Sequence, residues 1–160
     1  LKFAFLLIVE TLNSKKYFLV FFGNFWSEND IVKRGFEYIN LGFINDVKKL
    51  RKIYSLADVF VAPSIQEGFP KTVAESLLCE TPVVYFSNTA VDDVCTHKQT
   101  GFAAELFNSK QMAQGIDWVT ESKSRSSELG KNGKSVVQNS FNSNLLCNKY
   151  VNLYKKILKK

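Results

Sequence analysis

The chain has 160 residues, 46% of them hydrophobic and 14% aromatic, with a formal net charge of +6. That length fits one domain with a substantial core, and the composition excludes a disordered chain. Three cysteines, Cys79, Cys95 and Cys147, form no CxxC pair, and His97 is the sole histidine. They exclude a disulfide framework and a His/Cys metal site, and the cysteines read as buried thiols of a reducing compartment.

The opening LKFAFLLIVETL is interrupted by Lys2 and Glu10, is too short to span a bilayer and lacks a small-residue cleavage site. It reads as a helix that opens partway through a longer protein; a strand is the alternative, since Ile8 and Val9 are β-branched, but the length favours helix. Tyr17 to Phe22 is a continuous apolar run ending at Gly23, the pattern of a strand buried on both faces. Ser27, Glu28 and Asp30 read as a helix start. Tyr38 to Leu41 is a second strand, closed by Gly42. Asn45 and Asp46 can cap a helix whose apolar positions Val47, Leu50, Ile53 and Tyr54 keep the helical period. Further strands are expected at Asp58 to Ala62, Thr81 to Phe86 and Gly101 to Ala104. Further helices are expected at 71–80, 109–122, 127–138 and 143–158. The stripe Met112, Ile116 and Val119 reads as core. Strand and helix in alternation predict a Rossmann-like, three-layer α/β/α domain with a mainly parallel sheet. Its ligands would bind at the carboxyl ends of the strands.

The loop after the third predicted strand runs from Pro63 to Thr72, and a helix follows through Val73, Ala74, Glu75, Ser76 and Leu77. Pro70 suits a first helical turn. The amides near Phe69 to Thr72 would then face the crevice with the positive end of the helix dipole behind them, which makes a site for an anion such as a diphosphate. Gly68 lets the backbone approach a ligand, and Lys71 adds a charge one turn from Glu75. Glu67 and Glu75 could border one cavity and accept hydrogen bonds from sugar hydroxyls. The plainer alternative is a solvated Glu67 beside an ordinary surface pair, Lys71 with Glu75, worth about 0.3–0.5 kcal/mol.

The stretch ADVFVAPSIQEGFPKTVAESLLCETPVV resembles the retaining glycosyltransferases of family 4, the group 1 glycosyltransferases, whose fold sets two Rossmann domains face to face (the GT-B fold). It holds that family's spaced pair of glutamates, Glu67 and Glu75, with GFPKT between them. LVFFGN, INLGFINDVKKLRKIYSLAD, Asp92-Asp93-Val94 and HKQTGF extend the resemblance over about residues 1 to 120. It implies that residues 1–160 are the donor-binding half of such an enzyme, with the acceptor domain absent. Glu67 would be the catalytic residue, touching donor-sugar hydroxyls near the reacting carbon. Gly68, Phe69 and Pro70 would hold the sugar, Lys71 and Thr72 would lie near the diphosphate, and Glu75 would accept from the ribose. Phe43 and Ile44 would meet the nucleobase through their backbone. The donor would be a UDP-sugar or GDP-sugar, with no metal or other cofactor required. The acceptor would be a glycan or polyprenyl-linked molecule of cell-surface polysaccharide synthesis, and the fragment alone is expected to be inactive.

Two positions depart from the family. Glu80 stands where a glycine is usual, which predicts mild backbone strain if the turn there is left-handed. The loop Ser87-Asn88-Thr89-Ala90 lacks the family's frequent glycines. In the family the last helix often crosses to the other domain, so Val151, Leu153, Tyr154, Ile157 and Leu158 are expected to expose an apolar face. His97 reads as a surface or turn residue, and Asp92 and Asp93 as helix-start residues. Phe69 could touch substrate or pack under its loop.

Part of the positive excess lies at Lys155, Lys156, Lys159 and Lys160. A solvated helix end and peripheral contact with the inner face of the cell membrane both account for it. Nucleic acid is disfavoured, since no aromatic-basic reader motif is present. The expected location is the cytoplasm. The functional alternatives are a non-catalytic nucleotide- or anion-binding module and a sugar-nucleotide epimerase of similar architecture.

Overall fold

A computed structural model of the chain describes residues 11–23 and 28–158. Residues 1–10 of the expected opening helix therefore lie outside the described residues, as does Ser27. In chain order the elements are β1 (Phe18–Phe21), α1 (Glu28–Lys33), β2 (Glu37–Asn40), α2 (Val47–Leu56), β3 (Phe60–Ala62), α3 (Lys71–Leu78) and β4 (Val83–Phe86). A 3₁₀ turn (Ala90–Asp93) follows, then β5 (Gly101–Ala104), α4 (Ser109–Thr120), α5 (Lys123–Ser140) and α6 (Ser143–Leu158). Among the described residues every strand pairing is parallel. β1, β3 and β4 are each two residues shorter than the apolar runs that predict them, β2 lies one residue earlier than expected, and β5 matches. The largest boundary difference among the later helices is α5, which starts four residues before the expected 127. Ser122 explains it, because its hydroxyl accepts from the Arg125 amide and caps the helix there.

β4 is the centre of the core. All four of its residues are buried, and its side chains alternate between two layers. Val83 and Tyr85 join Val73, Leu77 and Val137 on one face. Val84 and Phe86 join Met112, Ile116, Val119 and Leu129 on the other. Helices therefore cover both faces of the β3-β4-β5 ladder, as the sequence predicts. Fully burying a side chain of this size stabilises by about 1.5–3 kcal/mol, so this sandwich dominates the fold's stability.

Two expectations differ from the structure at the other end of the fold. The described strands form two ladders, β1-β2 and β3-β4-β5, rather than one sheet. β1 is also not buried on both faces: Leu19 and Phe21 pack toward Ile31 and Phe36, while Phe18 is 58% and Val20 42% exposed. Side chains join the two ladders. Leu12 and Tyr17 pack in both neighbouring clusters. The Tyr17 hydroxyl donates to Asp117 Oδ1 of α4 at 2.5 Å, and Lys16 Nζ donates to the same oxygen at 2.6 Å. Burial pushes the Asp117 carboxyl up, but those two donors outweigh it and hold it below the ordinary aspartate range.

α5 runs along α3 and touches it in regular steps. Gly130 lies over the Glu80 carbonyl and Gly133 over the Leu77 side chain. Val137 packs in one cluster with Val73 and Ala74, and the Phe141 ring meets Phe69 at 5.4 Å. As α5 numbers rise, their α3 partners fall, so the two helices are antiparallel. Positions 130, 133, 137 and 141 follow the helical repeat, so one stripe of α5 splints α3 from end to end.

Glu80 is left-handed, with φ +63°, the strain expected of a non-glycine residue there. Lys134 Nζ of α5 reaches its carboxylate at 2.7 Å. Backbone strain and a surface ion pair thus oppose each other at one position. Glu80→Gly should raise the thermal midpoint, because strain relief exceeds the loss of an exposed pair. Glu80→Ala keeps the strain, loses the pair and should lower the midpoint. Scanning calorimetry on both variants checks the pair of signs.

Candidate functional site

β3 ends at Ala62, and the chain continues through buried Pro63 into an exposed loop, Ile65 to Phe69. Pro70 is buried and caps α3 with φ −77°, one position earlier than the first helical turn expected for it, and it offers no side-chain cap. The Lys71 amide bonds to the Phe69 carbonyl at 2.8 Å and the Ala74 amide to Pro70 at 3.0 Å. Among the described residues the Thr72 and Val73 amides have no acceptor. A helix start without a side-chain cap keeps its free donors and the positive end of its dipole for whatever approaches the mouth. An anion is the chemical match.

Three side chains frame the first turn of α3. Lys71 Nζ lies 3.7 Å from Glu75 Oε1, with the lysine side chain 82% and the glutamate side chain 30% exposed. The Tyr54 hydroxyl of α2 donates to Glu75 Oε2 at 3.4 Å. Burial, and next the charge of Glu75, hold Tyr54 well above the ordinary tyrosine range, so it stays a hydrogen-bond donor. The sequence pattern marks Tyr54 only as an apolar position of α2. Its second role, orienting Glu75, follows from α2 packing on α3, which helical spacing alone does not reveal.

Glu67 is exposed and has no hydrogen-bond partner among the described residues. At Gly68 a Cβ would meet nothing within 4 Å, so the backbone there is open to close approach. Phe69 is 48% exposed, and its ring meets Phe141 at 5.4 Å. Phe43 is exposed and Ile44 half-buried, both leading into α2 from the carboxyl end of β2. The Gly23 amide, just beyond β1, bonds to the Gly42 carbonyl at 2.8 Å and ties those two loop ends together.

The loop after β4 is organised without glycine. Asp92 Oδ2 accepts from the Asn88 amide at 2.6 Å and the Thr89 amide at 3.3 Å, and Thr89 and Asp92 form a reciprocal capping box on the 3₁₀ turn. Asn88 takes the left-handed conformation a glycine would otherwise supply, with φ +60°. His97 is an exposed turn residue whose Nδ1 accepts from the Ala103 amide at 3.0 Å. The cysteines are less uniform than expected: Cys95 is buried, Cys79 half-buried and Cys147 exposed, because Cys147 lies on the uncovered helix α6. A cavity of about 470 Å³ opens at the amino edge of the sheet, beside Asp58, Pro82, Thr120 and Lys123. It is on the opposite edge from the mouth of α3.

The family model described as glycosyl transferases group 1 matches residues 4–136. The chain belongs to the group 1 glycosyltransferases. The capsular polysaccharide biosynthesis glycosyltransferase CapM of Staphylococcus aureus is 28% identical over 145 residues, which are 88% of this chain and 38% of CapM. Among solved structures, a point mutant of S. aureus TarM, in complex with fondaparinux, α-GlcNAc-glycerol and UDP, superimposes with a TM-score of 0.79. The identity is 18%, over 94% of this chain and 31% of that one. Anabaena HepE in complex with UDP-glucose gives a TM-score of 0.79 at 17% identity, over 94% of this chain and 44% of that one. These likenesses show the GT-B Rossmann-like fold. The chain spans less than half the length of CapM and of both structural neighbours. Within this group 1 glycosyltransferase domain, the uncapped start of α3 and the pair Glu75–Lys71 lie together on the carboxyl edge of the sheet, with Glu67 in the loop just before them.

Proposed function

We propose that this group 1 domain binds a nucleoside-diphosphate sugar at the mouth of α3 and serves a retaining transfer of that sugar. The single observation that carries the reading is the uncapped start of α3 at the carboxyl edge of the sheet, bracketed by Glu67 and Glu75. The diphosphate would take the Thr72 and Val73 amides and the Lys71 charge. Glu75, oriented by Tyr54, would accept from the ribose, and Glu67 from the sugar. Gly68, Phe69 and Pro70 would shape the sugar pocket, with Phe43 and Ile44 beside the nucleobase. As the sugar leaves, negative charge grows on the diphosphate. Fixed amides and a helix dipole stabilise it there without reorganising.

The acceptor, a glycan or polyprenyl-linked molecule of surface polysaccharide synthesis, would be held by a second domain beyond these residues, and the isolated chain would bind donor without turning it over. A cytoplasmic location fits the unpaired thiols. The non-catalytic alternative shares the anion site but gives Glu67 no task.

Titration calorimetry of the chain with UDP and with uridine tests the site. UDP should bind at least tenfold more tightly, since the diphosphate is what the helix mouth engages, and Glu75→Gln should weaken both by taking the charge from the ribose acceptor. Equal affinities for UDP and uridine, or no effect of Glu75→Gln, would overturn the reading.

A further inference from the structure

The loop that carries Glu67 is held firmly at its ends and lightly between them. Pro63 and Pro70 are both buried, and each ring fixes its own φ. Among the described residues, none from Ser64 to Gly68 makes a hydrogen bond or an ion pair. Backbone with so few partners is weakly restrained.

Phe69 supplies a restraint from far along the chain. Its ring lies 5.4 Å from that of Phe141, the planes tilted by 54°. Phe141 itself is well fixed. It closes α5, with its amide bonded to the Val137 carbonyl at 2.9 Å. Its side chain packs on the cluster that holds Val73, Leu77 and Val137. α5 in turn is seated on α3 and the turn after it through Gly130 and Gly133. The ring therefore belongs to the packed core, and it meets the loop two residues after Glu67.

This contact has a chemical use. Glu67 is exposed and has no hydrogen-bond partner among the described residues, so the path of its backbone decides where its carboxylate sits. A misplacement of about 1 Å at a reacting centre can cost roughly a hundredfold in rate. We propose that Phe141 is a positioning residue for sugar transfer. Through Phe69 it sets the place of the loop, and so of the Glu67 carboxylate against the hydroxyls of the donor sugar. The inference rests on the donor-site reading above. The diphosphate side of that site does not depend on the contact, because Lys71, Thr72 and Val73 belong to α3, which α5 supports directly.

Steady-state kinetics of the full-length protein with a sugar nucleotide tests it. Phe141→Ala should lower kcat/KM by roughly tenfold or more, and by no more than Glu67→Ala does, since it acts through that residue. UDP affinity, measured by calorimetry, should stay the same. Phe141→Tyr keeps the ring and should retain most of the parent's rate. In a Glu67→Ala background, Phe141→Ala should cost little more, because residues that act as one unit are not additive. A purely structural role would give the same fold-loss in both backgrounds. Phe141→Leu keeps apolar cover over Val73 and Leu77, and it takes the place of Phe141→Ala in the cycle if that variant does not fold. Parent-like turnover in the folded variant, or equal losses in the two backgrounds, overturns the proposal. Failure of the donor-site reading looks different: it shows in the unsubstituted protein, as equal affinities for UDP and uridine.

Discussion

Gly130→Ala should destabilise the chain by at least about 3 kcal/mol, more than typical overpacking of roughly 1–3 kcal/mol. A Cβ at position 130 would stand 1.9 Å from the Glu80 carbonyl oxygen and 2.6 Å from its carbon. Those are backbone atoms, so no rotamer change makes room. Glu80 is already left-handed, and the turn cannot retreat without adding strain. The only relief is to lift α5 off α3, which strips cover from Leu77 and Val73. For a chain of this size about 3 kcal/mol corresponds to a fall of roughly 6–12 °C in thermal midpoint. Gly133→Ala is the internal control. Its Cβ would meet the end of the Leu77 side chain at 2.5 Å, which can move, so the loss should be clearly smaller. Thermal unfolding followed by circular dichroism measures both, and equal losses would show that α5 does not rest on the turn backbone.

The second large effect concerns chemistry. In the full-length protein, Glu67→Ala should lower kcat/KM for sugar transfer by roughly tenfold to a hundredfold. That range corresponds to losing charge-assisted hydrogen bonds worth about 1.5–3 kcal/mol. UDP affinity should stay the same, since the proposed contact is with the sugar and not the nucleotide. Stability should also be unchanged, because Glu67 is exposed and has no partner among the described residues. Steady-state kinetics with a sugar nucleotide, paired with UDP calorimetry, separates the three quantities. A fall in UDP affinity equal to the fall in kcat/KM would place Glu67 on the nucleotide instead.

Much of this is visible in the residues themselves. The runs around Val83 and Gly101 announce short parallel strands because β-branched and small residues fill a sheet covered on both faces. Met112, Ile116 and Val119 announce a buried helix face through their spacing. The helix start at Pro70 is legible because proline fixes its own φ before any tertiary contact forms, and Gly68 marks a stretch of backbone open to close approach. Glu80 is legible too, since a residue in a glycine position implies strain. Long-range relations leave no such trace. The run at Tyr17 to Phe22 looks buried on both faces because its composition is apolar throughout, whereas exposure depends on what the fold places against it. Tyr54 near Glu75, Phe141 on Phe69 and Gly130 over Glu80 each join residues far apart in sequence. Cys147 misleads for the same reason: the residue type suggests burial, and only the uncovered helix beneath it says otherwise.

The stripe on α5 also links α6 to the loop before α3. α5 ends where Phe141 rests on Phe69, and α6 begins two residues later. A force on α6 must enter the domain through that aromatic joint, next to the loop bearing Glu67. The rest of α3, clamped along α5, resists displacement. Mechanical load on the terminal helix should thus tilt the loop bearing Glu67 while leaving the start of α3 in place.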